Sequence, residues 1–205
     1  MKRVAALLTV LALGACGGHA TGGKPTAAPI APTAAPPTPP AMGQLDHQPR
    51  RLVIESIGVN ADVEALGVVL ASPRPKGAPV ALEMAVPAQP VNVGWYALGA
   101  SPGDASGAVT FDGHLDWPVN GKDAPAVFWK LSSLAAGAII KVVTTDGLTF
   151  SYRVASSKPV AAQTKMPELF SKNGPAELYL VTCTGKWDGT QYTQRQVVKA
   201  DPVPN

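Results

Sequence analysis

Residues 176–200 read AELYLVTCTGKWDGTQYTQRQVVKA, and the way this stretch folds decides the rest. AELYLVTC (176–183) and RQVVKA (195–200) are short runs rich in Val, Leu, Tyr and Thr. Between them lies a segment punctuated by Gly and Asp, as expected of two strands joined by a loop. As the arms of one antiparallel hairpin they leave eleven residues between Cys183 and Arg195. Directly opposed residues of such a ladder project from the same face, so the thiol and the guanidinium are expected side by side at the hairpin mouth.

The same texture runs outward through the chain. RLVIESIGV (51–59), GAVTF (107–111), AIIKVVTT (138–145) and LTFSYRVA (148–155) all read as strands, and Asp146-Gly147 reads as a two-residue type I′ hairpin turn. Helical pattern is confined to AVFWKLSSL (126–134) and MPELFSK (166–172), a turn or two each. Many short strands with one or two short helices predict an all-β fold, a closed or nearly closed barrel.

Only two cysteines exist, Cys16 and Cys183, and residues 50–205 hold a single histidine, His114, in TFDGHLDWP. A thiol with an ordinary pKa near 8.5 is only a few per cent thiolate at neutral pH, so a cysteine nucleophile needs an imidazole or a cation beside it. His114 is the only imidazole the domain offers. Arg195 is suited to holding an oxyanion, because its planar fork grips carbonyl and carboxylate oxygens. The bland alternative is a loop histidine and a buried, inert thiol. Asp112, His114 and Asp116 share one face of an extended segment, but without a second imidazole or paired thiolates no metal site is expected. Asp116 is read instead as orienting the His114 loop. Trp187 either lines a peptide groove or pins its own loop.

The N-terminus, MKRVAALLTVLALGAC, has a basic start and about ten apolar residues, half the roughly 20 needed to span a bilayer. It reads as an export signal over residues 1–15. Leu13-Gly14-Ala15-Cys16 resembles the lipobox of bacterial lipoproteins, which implies lipid on Cys16, a membrane anchor and an extracytoplasmic location at the outer face of the cell membrane. Cys183 is then an odd thiol in an exported chain, the pattern that flags reactivity. Residues 16–49, rich in Pro, Ala and Thr, read as a tether that could reach on the order of 90 Å in polyproline II, with His19 and His47 solvated. Residues 50–205 form one domain of ordinary size. Of 17 Lys/Arg and 14 Asp/Glu, Lys2, Arg3, Lys24 and Asp46 precede it, leaving the domain at +1 with no basic face for nucleic acid.

The ordered set GHLD with His114, LVTCTG with Cys183, and Arg195 leading RQVVKA resembles the sortases, cysteine transpeptidases of bacterial cell surfaces. LVIESIGVNADVEALG (52–67), VGWYALGASPGDASGAVTFDGHLDW (93–117) and AVFWKLSSLAAGAIIKVVTTDG (126–147) are similar, in order, to the class F members. The resemblance implies an eight-stranded barrel. It also implies cleavage of an LPxTG-like C-terminal sorting signal through a thioester, and transfer of the acyl group to an amine of cell-wall or pilin type, or to water, with no cofactor. By position Cys183 is the nucleophile, His114 the acid and base, and Arg195 the stabiliser, with Thr182 and Trp187 at the substrate. Two departures stand out: Thr184 follows the cysteine where class F has Gly, and YTQRQ replaces an Arg-Asp-Asn run. Aligning on Tyr192 puts Thr193, not Arg195, at the usual arginine position. A reading from another class is a lipid-anchored β-barrel binding module with a relict site.

Overall fold

The computed structural model describes residues 47–70 and 82–204. Twelve strands form: β1 (Pro49–Ile54), β2 (Val59–Leu66), β3 (Val68–Leu70), β4 (Leu82–Met84), β5 (Val93–Tyr96), β6 (Ala108–Asp112), β7 (Asp116–Val119), β8 (Lys122–Pro125), β9 (Ile139–Thr144), β10 (Thr149–Ala161), β11 (Glu177–Trp187) and β12 (Tyr192–Pro202). Eight of them close a barrel in the order β1-β2-β5-β6-β11-β12-β10-β9, while β3-β4 and β7-β8 are separate two-stranded ribbons. The fold is thus the all-β, eight-stranded closed barrel expected, with three single-turn 3₁₀ segments at Glu55–Ile57, Leu131–Ser133 and Pro167–Phe170.

Alternation sets which side chains fill it. Along β9, Ile140, Val142 and Thr144 are buried while Ile139, Lys141 and Val143 are less so. Side chains two apart line one face, so every other residue enters the core. Leu52, Ile54, Trp95, Phe111, Phe128, Leu178, Leu180 and Val198 complete that interior, each fully buried. Strands β6 and β11 depart from alternation because their outer faces are covered too. Ala108, Tyr179 and Val197 pack there against Leu169 of the Pro167–Phe170 turn, and the Thr110 hydroxyl donates to the Leu169 carbonyl.

Several local expectations need correction. RLVIESIGV is two strands, because the chain turns at Glu55–Ile57 and passes through Gly58 at φ 75°. At the β9–β10 turn, Gly147 N–H donates to Thr144 C=O at 3.0 Å and only Gly147 has positive φ, 84°. That is a three-residue hairpin closed by a left-handed glycine, not type I′. A type I′ signature lies instead between β7 and β8, where Asn120 and Gly121 have φ 51° and 74° and Val119 pairs with Lys122. Strand β10 runs past Ala155 to Ala161 through Pro159. Its β9 partner ends at Arg153, so beyond the bulge at Val154/Ser156 only β12 pairs with it. A proline without N–H fits such an edge. His47, expected to be solvated, meets Asp146 Oδ2 through Nδ1 at 2.7 Å and tilts against Phe150, with ring centroids 5.1 Å apart.

Candidate active site

The covered outer face of β6, β11 and β12 ends where the Pro167–Phe170 turn ends. Counting by two along each strand from Thr110, Val181 and Val197 leads to Asp112, Cys183 and Arg195, all partly exposed. Their strands are adjacent, with β11 in the middle. Cys183 is the direct Cα partner of Arg195, and Asp112 is the parallel partner of Val181, two residues before the cysteine. One face therefore carries a carboxyl, a thiol and a guanidinium in a row.

The hairpin itself is longer than expected. β11 continues past Cys183 to Trp187 and β12 begins at Tyr192, so the turn is Asp188–Gln191 and Cys183 sits inside a strand rather than at a mouth. The Asp188 carboxylate closes the turn by accepting the N–H groups of Thr190 and Gln191 at 2.8 and 2.9 Å. Gly185, at φ 84°, takes the irregularity between Thr184 and Trp187. A β-carbon there would lie 2.7 Å from Thr193 Oγ1. The Gly-Asp-Gly texture read as loop is thus a bulge followed by a tight turn.

His114 follows β6 with only Gly113 between them. Gly113 N–H donates to Val181 C=O at 3.2 Å, and the Thr182 hydroxyl donates to Gly113 C=O at 2.7 Å. The residue before His114 is thereby tied to the two residues before Cys183. Gly113 has no room for a side chain, since a β-carbon would come within 2.6 Å of buried Phe128 and 2.8 Å of Val127. The His114 carbonyl accepts from Phe128 N–H at 3.0 Å, and its ring stands edge-to-face with Trp117, centroids 4.8 Å apart. Nε2 lies 2.8 Å from the Pro87 carbonyl. A carbonyl only accepts, so Nε2 carries a hydrogen toward Pro87, and among the described residues Nδ1 has no hydrogen-bond partner. Among the described residues no hydrogen bond joins His114 to Cys183.

Thr182, expected at the substrate, is 1% exposed and points into the barrel. Alternation puts it on the face opposite Cys183, so it holds Gly113 and lines no groove. Trp187 is 59% exposed and meets Tyr192 edge-to-face at 5.5 Å. Thr193, the rival for the arginine position, is exposed and its hydroxyl accepts Lys186 N–H at 3.1 Å. Arg195 Nη1 donates to the carbonyls of Tyr192 and Gln194 at 3.2 and 3.1 Å. Cys16 lies outside the described residues.

Burial chiefly pushes the Asp112 carboxyl up to about 7, with Glu83 adding to the rise against the Gly113 N–H bond and the Arg195 charge. Asp112 keeps some accessible surface as a residue, yet protein surrounds its carboxyl, and the environment of the ionising oxygens is what sets the shift. Burial likewise raises the Cys183 thiol, Arg195 pulls it down, and Asp112 and Asp116 raise it. Burial and the two carboxyls thus favour the protonated form of Cys183 over its thiolate. Asp116 does not touch the histidine ring; it accepts the Tyr192 hydroxyl. With Asp112 held by Gly113 N–H and His114 by Pro87, the three side chains once considered as ligands diverge, and among the described residues no three His, Cys, Asp or Glu gather as a metal set. No contact with the His114 segment was read for Tyr192, Trp117 or Pro87 from the sequence, and Pro87 and Tyr192 reach it from 27 and 76 residues away.

The chain has no curated match. Three solved structures share its fold at low identity. Sortase C1 from Streptococcus agalactiae is 20% identical over 76% of this chain and 67% of its own, with a TM-score of 0.53. Sortase C from Streptococcus pneumoniae is 16% identical over 76% and 66%, TM-score 0.52. A lid mutant of sortase A from Corynebacterium diphtheriae is 16% identical over 76% and 69%, TM-score 0.52. Such identities speak for the barrel alone. The sortase-domain family model, however, matches residues 52–203, a span that takes in the barrel from the middle of β1 onward and the strip holding His114, Cys183 and Arg195, so the chain belongs to the sortase family.

Proposed function

We propose that the protein is a cysteine transpeptidase of class F-like character that cleaves an LPxTG-like sorting signal and passes the acyl group to an amine or to water. The observation that carries this reading is the register: Cys183 lies directly opposite Arg195, and Thr182 and Val181 bind the residue preceding His114. Membership of the family supports a transpeptidase role in general. The pneumococcal sortase C structure bears on pilin substrate specificity, which makes pilin-type proteins and their amines reasonable substrates to try here.

In the proposed cycle Cys183 gives its proton to Nδ1 of His114, and its sulfur attacks the scissile carbonyl. The carbonyl π electrons move to oxygen, where Arg195 meets the charge. A guanidinium now turned to two backbone carbonyls has to swing to the substrate, which provides stronger acceptors once charge develops. Collapse breaks the C–N bond, and the amine leaves with the His114 proton. A second amine or water then loses a proton to His114 as it attacks the thioester, and sulfur leaves to be reprotonated. The raised thiol is consistent with deprotonation during attack rather than before it. Exposure of Trp187 at the end of β11 supports a role in contacting peptide. Lipid on Cys16 would hold the enzyme at the outer face of the membrane.

Mass spectrometry after incubation with an LPxTG-like peptide tests the chemistry. An acyl adduct on Cys183, absent from Cys183→Ala and much slower to form in His114→Gln, supports it. No adduct with any of a library of sorting-type peptides would favour the relict, ligand-binding barrel. Lipid labelling of the parent and of Cys16→Ala tests the anchor.

A further inference from the structure

One buried titratable group on the site face has no part in that cycle. Asp112 comes from β6, Cys183 from β11 and Arg195 from β12, and alternation places all three on the outer face of adjacent strands. The Asp112 carboxyl is fixed there, because its Oδ1 accepts Gly113 N–H at 2.8 Å. Among the described residues Arg195 forms no salt bridge with Asp112 and its hydrogen bonds go to the carbonyls of Tyr192 and Gln194, yet its charge bears on both Asp112 and Cys183.

We propose that Asp112 acts as an electrostatic restraint on the nucleophile: when ionised it repels a thiolate at Cys183 and competes with it for Arg195, keeping the free enzyme's cysteine protonated. This role rests on Cys183 being the nucleophile but not on the identity of any substrate. It acts through Cys183, so Asp112 is a positioning residue rather than a catalytic one. The charged groups bearing on Cys183 are Arg195 from β12, Asp112 from β6 and Asp116 from β7, and the titratable phenol of Tyr192 at the start of β12 is coupled to the cysteine as well. Those bearing on Asp112 are Arg195 and Glu83 of β4. Burial raises both titrating groups, which keeps Asp112 within reach of neutral pH and the thiol above it. A substrate peptide covering the strip would strengthen every one of these interactions by excluding water. Ordering the ionisation in this way limits side reactions of an exposed thiolate, since reactivity follows thiolate character.

The restraint is read from the pH dependence of Cys183 alkylation in the purified protein, with no peptide substrate present. In Asp112→Asn the amide oxygen still accepts Gly113 N–H while the charge is gone. The midpoint for thiolate formation is expected to fall by about one pH unit, the scale of a charge on a diagonal strand neighbour at an intermediate dielectric. The alkylation rate near pH 7.5 should rise about threefold rather than tenfold, because a more acidic thiol is also a weaker nucleophile. Arg195→Gln should move the midpoint the other way. An unchanged or raised midpoint in Asp112→Asn overturns the proposal. Should that variant not fold, a His114→Gln protein carrying Asp112 decides alone. Its logarithmic rate against pH should flatten near pH 7, where Asp112 ionises, and a straight line of unit slope from about pH 5.5 to 8.5 overturns the proposal. A midpoint shift in Asp112→Asn with no peptide turnover by the parent protein would instead count against the transpeptidase reading and leave the restraint standing.

Discussion

Replacing Thr182 by Val tests the link between the two halves of the site. Valine matches threonine in shape, so the change removes one hydroxyl from a position 1% exposed to solvent. That hydroxyl is the donor, at 2.7 Å, to the Gly113 carbonyl, and among the described residues no backbone N–H serves that oxygen instead. An ordinary hydrogen bond is worth about 1 kcal/mol net, but leaving a buried acceptor unpaired raises the cost to about 1–3 kcal/mol. For a domain of this size each kcal/mol moves Tm by about 2–4 °C, so a loss of about 2 kcal/mol lowers Tm by about 4–8 °C. Thr182→Ser, which keeps the hydroxyl, should recover most of it. Calorimetry on the three proteins measures the stability, and initial transpeptidation rates measure the second consequence: the Val variant should lose more in kcat than in KM, since Gly113 positions His114 and not the peptide. If Thr182→Val melts within 1 °C of the parent, the tie between β11 and the histidine segment carries no weight and the argument fails.

Arg195→Lys keeps a charge opposite Cys183 but loses the planar fork, and is expected to cost about 10²–10³ in kcat, while Thr193→Ala, exposed on the same strand, stays close to the parent. A lysine variant within about threefold of the parent rate would remove Arg195 from the mechanism. The Tyr192 hydroxyl, donating to Asp116 and partly shielded, is pushed up to about 12; in Asp116→Asn, phenolate absorbance should rise at lower pH, toward the ordinary value near 10. Glu177 is pushed up by burial but pulled down further by Lys199, 2.6 Å away, and Tyr179, so it is net lowered. A depressed carboxyl stabilises above its unfolded pKa of about 4.3 and loses that contribution as pH falls through the folded value. Glu177→Gln should therefore narrow its stability gap to the parent in acid melts, and a gap independent of pH would contradict the assignment.

Strand texture was legible along the chain because alternation is written residue by residue: Ile140, Val142 and Thr144 enter the core at every second position of β9. The scarcity of chemistry was equally legible, since one thiol and one imidazole in residues 50–205 leave few partners to choose among. That was enough to place Cys183, His114 and Arg195 as candidates and to expect the first and last on facing strands. Register was not legible. Whether Thr193 or Arg195 stands opposite Cys183 depends on the bulge at Gly185, and a shift of one residue turns every side chain to the other face. Thr182 fell on the interior side by alternation, once Cys183 lay on the outer face. The covering of β6 and β11 on both faces, the Asp116–Tyr192 contact and the burial that raises Asp112 all arise between segments distant in the chain. Sequence supplied the periodicity and the reactive groups, which are local properties; closure of the barrel decided which of those groups share a face, because pairing between strands is a non-local choice that no single strand encodes.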